Sequence, residues 1–148
     1  MAPLIRLLRS DRRFRIRLCS TGQHQELLPS ALGVLGLKPD IRLKPLSAGN
    51  SPAVLLKKLV PVVGEIMRRR RPGLVLVQGD TTSALAAALA ARGLGIPVGH
   101  VEAGLRTFDL KNPFPEERNR VQIDSISQLL FAPTRAAKAN LLREDLEP

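Results

Sequence analysis

Tryptophan and tyrosine are missing from this sequence, and only four phenylalanines supply its aromatic content. Hydrophobic residues still make up 44% of the chain, so the core must be filled by Leu, Val, Ile and Ala. Aliphatic strands alternating with Ala-rich helices suit a parallel α/β sheet covered on both faces. The shortage of aromatics also removes the stacking groups of nucleic-acid modules, and no such module is recognisable. The single cysteine, Cys19, excludes an internal disulfide and fits a reducing compartment. It falls in a predicted strand, Phe14 to Ser20, and reads as a small core residue. Two histidines and one cysteine without close ligand spacing give no metal set, and nothing in the chain calls for a cofactor. No run of about 20 apolar residues is present, and the N-terminus has no basic-then-apolar leader. The expectation is a cytoplasmic protein with no membrane partner.

Acidic residues are the minority, 13 against 23 Lys and Arg, for a formal charge of +10. The excess is spread along predicted helices, with one cluster at Arg68-Arg69-Arg70-Arg71. That cluster falls in the last turn of a helix ended by Pro72, where the dipole favours cations. A solvated helix end explains it without a nucleic-acid partner. A positive field also suits a small anionic substrate.

At 148 residues the chain has the length of one domain. Periodicity predicts helices over Pro3–Arg9, Gln25–Leu35, Pro52–Arg71, Thr82–Ala91, Glu116–Ser127 and Arg135–Arg143. Strands are predicted over Phe14–Ser20, Asp40–Leu43, Leu74–Val77, Pro97–Val101 and Leu129–Ala132. Five strands with crossover helices make a doubly wound, Rossmann-like parallel sheet. Such a sheet usually opens with a strand that becomes central, whereas this chain opens with a helix. The expectation is therefore a single incomplete domain over residues 1–148, lacking its first strand.

Three acidic motifs carry the chemistry: Gln78-Gly79-Asp80-Thr81-Thr82, His100-Val101-Glu102-Ala103-Gly104-Leu105-Arg106-Thr107 and Pro113-Phe114-Pro115-Glu116-Glu117-Arg118-Asn119-Arg120. In the first two a carboxylate appears where a buried strand runs out, which is costly unless it is paired, hydrogen-bonded or working on a ligand. In an open parallel sheet that end of the strands is also where ligands bind. Each residue has a plainer reading. Asp80 precedes an Ala-rich helix and is an N-cap candidate. Glu102 has a salt-bridge partner in Arg106, and Glu116 and Glu117 suit a helix dipole after Pro115. Arg106 and Arg120 offer forks for phosphate or hydroxyl oxygens, Arg120 being equally an ion-pair partner for the Glu116-Glu117 loop. His100, inside a strand, reads as a hydrogen-bonded structural histidine, and Gln23 and His24 are weaker candidates at the same rim.

Taken in order, the three motifs resemble the non-hydrolysing UDP-N-acetylglucosamine 2-epimerases. The Thr21-Gly22-Gln23-His24 turn, the Phe131-Ala132-Pro133-Thr134 strand end and Asn140-Leu141-Leu142 match that family as well. The resemblance implies the N-terminal half of a two-domain, glycosyltransferase-B-like fold, without the C-terminal UDP-binding half. It implies a UDP-N-acetylhexosamine substrate and a homodimer for full-length members. It carries catalytic roles to Asp80, Glu102 and Glu116, and substrate contacts to Gln23, His24, Arg106 and Arg120. The reaction implied is C2 epimerisation through elimination and re-addition of UDP, with the isolated chain expected to be inactive. Two alternatives stand beside it: a hydrolysing relative releasing free N-acetylmannosamine, and a non-catalytic or partner-dependent remnant.

Overall fold

The structure, a computed structural model, describes residues 1–22, 32–43 and 51–146. They fall into two compact units, residues 1–50 and 51–148. In the first unit, helix α1 spans Ala2–Ser10 with a proline in its first turn, where a missing N–H costs nothing. Two short strands, β1 (Cys19–Ser20) and β2 (Ile41–Arg42), pair in parallel with Cys19 opposite Ile41. The Phe14–Ser20 prediction shrinks to its last two residues. The Arg-rich stretch before Cys19 alternates like a strand, but β2 offers only two residues to pair with. Cys19 is exposed rather than part of a core. Asp40 ties the unit together: its carboxylate accepts the Leu18 N–H at 2.7 Å and pairs with Arg9 and Arg17 at 2.8 and 3.4 Å.

The second unit holds three parallel strands in the order β3 (Val75–Gln78), β4 (Val98–Val101), β5 (Leu129–Phe131). Helix α2 (Pro52–Arg70) begins at Ser51, whose hydroxyl accepts the Val54 N–H, and runs through Pro61 as one element. Its buried Leu55, Leu59, Val63 and Met67 recur every four residues, the spacing of one helix face. That helix packs on α3 (Thr82–Gly93), with Gly64 facing Ala90. Helices α4 (Glu116–Ile126) and α5 (Arg135–Arg143) complete the unit.

Strand β4 lies between its two neighbours, and Val98, Gly99 and His100 are fully buried along it. A Cβ at Gly99 would come within 2.6 Å of the Leu76 Cδ2 methyl, so a side chain there would require Leu76 to shift. The register sets Gln78 opposite Val101, so the chain leaves β3 and β4 at the same level. Asp80 and Glu102 follow within two residues. Among the described residues, no helix is long and apolar enough to cross a membrane.

Candidate active site

The turn after β3 needs Gly79, whose φ of +68° is a conformation that glycine reaches without strain. It is followed by Asp80 and then by Thr81, whose hydroxyl accepts the Ala84 N–H and caps α3. Thr81 thus takes the capping role that the sequence also offered to Asp80. The Asp80 carboxylate is free to meet Arg120 instead, at 2.5 Å, with the aspartate side chain 27% exposed. Asn119 donates to the Asp80 backbone carbonyl at 2.7 Å, so two residues of α4 hold this turn.

Glu102 leaves β4 with a φ of +78°, a conformation that costs a non-glycine residue about 1–3 kcal/mol and gathers at functional sites. Its carboxylate lies near the β3 turn, with Gln78 Nε2 at 3.5 Å. A Cβ placed on Gly79 would sit 3.4 Å from the same oxygen. Two residues on, Gly104 has a φ of +82°, and a Cβ there would come within 2.3 Å of the Ala137 carbonyl. This close approach lets α5 press against the turn, while Asn140 donates to the Gly104 carbonyl at 3.0 Å.

Glu116 opens α4, three and four residues before Asn119 and Arg120. That spacing puts it on the helix face that touches Asp80. Glu117 is fully buried and does more than complement a helix dipole. Its Oε1 accepts the Thr107 and Phe108 N–H groups at 2.9 and 3.0 Å, fixing the loop that joins β4 to α4. Its Oε2, without a hydrogen bond, faces Arg120 Nη1 at 3.4 Å. The structure thus links Asp80, Arg120 and Glu117 in one row. The Glu102 carboxylate lies by Gln78 and Gly79 at the neighbouring strand end, and Glu116 precedes Arg120 by one helical turn.

Arg106 stands apart from that row. Its side chain is 1% exposed, with Nη1 on Asp124 at 2.7 Å and Nη2 on Glu144 at 2.7 Å. Its Nε also donates to Glu144, at 2.8 Å. Burial would push its pKa down, but the Glu144 and Asp124 hydrogen bonds outweigh burial and hold it above the ordinary value. The Glu102–Arg106 bridge that the sequence offered is replaced by this pairing. His100 is also buried, between Asp124 Oδ1 at 2.5 Å and the Gly79 carbonyl at 2.9 Å, as its place inside a strand suggested. Gln23 and His24 lie outside the described residues. Among the described residues, no group of three or more His, Cys, Asp or Glu is arranged to hold a metal.

Sequence reasoning passed over Asp124, which is fully buried. A signal was present, because positions 117, 120 and 124 fall on one face of α4 at helical spacing. Ile123, also fully buried, marks that side of the helix as the one turned inward.

Parallel strands alternating with helices define a Rossmann-like α/β protein, with carboxylates placed where strands β3 and β4 end. The chain belongs to the UDP-N-acetylglucosamine 2-epimerase family, whose model matches residues 6–148. It is 41% identical over 146 residues to the UDP-N-acetylglucosamine 2-epimerase of Salmonella typhimurium, covering 99% of this chain and 39% of that relative. The Neisseria meningitidis enzyme, crystallised with UDP-GlcNAc, superposes with a TM-score of 0.93 at 40% identity, over 98% of this chain and 39% of that one. The Methanocaldococcus jannaschii enzyme in complex with UDP-GlcNAc and UDP gives 0.91 at 40% identity, over 99% and 40%. The chain therefore spans about two-fifths of the length of these relatives. The likeness bears out the α/β, Rossmann-like fold class read from the sequence.

Proposed function

We propose that residues 1–148 form the acid–base wall of a UDP-N-acetylglucosamine 2-epimerase. The substrate is UDP-N-acetylglucosamine and the product UDP-N-acetylmannosamine. In this reading a base takes the proton from C2, and the C–H electrons form a C1=C2 double bond. The C1–O bond breaks and UDP departs with that electron pair. Protonation of C2 on the other face and re-addition of UDP to C1 complete the inversion. At least one acid and one base must stand around the ring, and Asp80, Glu102 and Glu116 are the residues to which the roles fall.

The observation that carries this reading is the gathering of Asp80, paired with Arg120, and Glu102, held at positive φ, at the ends of two adjacent parallel strands. Two carboxylates at neighbouring strand ends can divide acid and base roles around one ring. Arg120 keeps 13% of its side chain exposed, leaving part of its fork for a substrate oxygen. Arg106, engaged at all three guanidinium nitrogens, is read as a holder of the fold around the site. Gln23 and His24 remain candidate substrate contacts. A homodimer and a cytoplasmic location, where nucleotide sugars are made, belong to the same reading.

The test joins residues 1–148 to the part of the Salmonella relative that they do not match. Incubation with UDP-N-acetylglucosamine in deuterium oxide should give UDP-N-acetylmannosamine labelled at C2. Asp80→Asn, Glu102→Gln and Glu116→Gln should each lower turnover at least ~100-fold, as loss of an acid or base does. Free N-acetylmannosamine with UDP would turn the reading toward the hydrolysing reaction. A near-wild-type rate in any variant would clear that residue of a catalytic role.

A further inference from the structure

Helix α4 carries a buried carboxylate, Asp124, that none of the roles above uses. Its Oδ1 meets His100 Nδ1 at 2.5 Å. Its Oδ2 accepts the Gly104 N–H at 3.0 Å and Arg106 Nη1 at 2.7 Å. The other ring nitrogen of His100 faces the Gly79 carbonyl, 2.9 Å away. A carbonyl only accepts, so Nε2 carries one hydrogen and a second proton lies between Nδ1 and Oδ1. Asp124 and the side chains of His100 and Arg106 are almost wholly excluded from solvent. Apolar side chains of similar volume would often stabilise as well as such a set, so stability is a weak reason for its presence.

The links themselves supply a stronger reason. Through His100, Asp124 reaches the peptide just before Asp80. Through Gly104 it reaches the turn that begins with Glu102. We propose that Asp124 is a positioning residue that fixes both acid–base turns relative to each other, with His100 as its arm toward Asp80. The proposal rests on the reading that Asp80 and Glu102 carry proton transfers. A misplacement of 1 Å at such a site can cost about 100-fold in rate.

Asp124→Asn is the direct probe. The amide either donates to His100 Nδ1, which then loses its shared proton, or turns its NH2 against the Gly104 and Arg106 donors, and in both cases the negative charge facing Arg106 is gone. NMR of the 148-residue chain should show, in the unsubstituted protein, a far-downfield proton between His100 Nδ1 and Asp124. In Asp124→Asn that signal should vanish and the amide signals of Asp80 and Glu102 should both move. Exchange of the Gly104 N–H should quicken at least ~10-fold, the mark of a local opening. His100→Gln cuts only one arm: it should move Asp80 and leave the Gly104 N–H protected. In the joined enzyme, Asp124→Asn should lower kcat about 100-fold with KM within about threefold.

Unmoved Asp80 and Glu102 signals in Asp124→Asn would overturn the proposal. So would a kcat loss that vanishes once the unfolded fraction is corrected. If Asp124→Asn does not fold, His100→Gln decides, and shifts spread evenly across residues 51–148 would overturn the idea. Absence of turnover in the unsubstituted joined enzyme would count against the proposed function alone, because the NMR readout needs no substrate.

Discussion

Asp40 and Asp124 each sit between two basic side chains and each accept a backbone N–H, one at the surface of the first unit and one sealed inside the second. Asp40 keeps a quarter of its side chain in solvent, and its partners Arg9 and Arg17 are a third to a half exposed. Asp124 and its partners have no such exposure. In water the charges of the first set are screened, and exposed pairs contribute about 0–1 kcal/mol. In the second set every donor has lost its hydration, so each partner's loss leaves a charge that nothing else can solvate. The same arrangement therefore acts as a surface tie in one unit and as a constraint on geometry in the other.

Arg106→Ala should separate the two sets most clearly. It strands Asp124 and leaves Glu144 without its fork, and should lower stability by about 3–5 kcal/mol, read as a fall in the urea midpoint at unchanged m-value. Arg9→Ala beside Asp40 should move it by no more than about 1 kcal/mol. Equal losses in the two variants would erase the distinction.

Gly104→Ala tests whether the interior set depends on close packing as well as charge. An alanine there must hold a positive φ and push against the Ala137 carbonyl, two effects that together should cost about 2–4 kcal/mol. A loss below about 1 kcal/mol would mean that α5 yields easily.

The smallest effect belongs to Asp40 and is sharpened by pH. The Leu18 N–H, with Arg9 and Arg17, outweighs a modest opposing effect of burial and holds the Asp40 carboxyl below its usual value of about 3.8. A carboxyl depressed on folding contributes stability above its unfolded value, and that contribution fades as pH falls through the lower folded value. Protection of the Leu18 N–H against exchange should exceed that in Asp40→Asn above about pH 5 and approach it below about 3.8. A difference that persists in stronger acid would assign the effect to packing.

Most helices and the central strands were legible from periodicity and caps. Helix α5 falls where the apolar spacing put it, and β3 and β4 end next to their acidic motifs. Strand β1 was overdrawn because alternation describes one chain and pairing requires two. The Asp80 turn reads with Asp80 as the cap candidate, whereas backbone geometry brings the Thr81 hydroxyl to the Ala84 N–H. Asp124 was missed for a similar reason. A mid-helix aspartate looks solvated until its partners, brought from β4 and the following turn, are known. What sequence conveys poorly is the identity of partners far along the chain.

The grip of α5 on the Gly104 turn has a consequence for the order of assembly. Asn140 lies 36 residues beyond the carbonyl that it holds, so Glu102 leaves the ribosome well before the helix that steadies its turn. Contacts of long sequence separation close late because loop entropy must be overcome first. The β3–β4 pair, built across a shorter span, can form before β5 and α5 arrive. In a nascent chain Glu102 would therefore be among the earlier site residues to be made and among the last to be set in place.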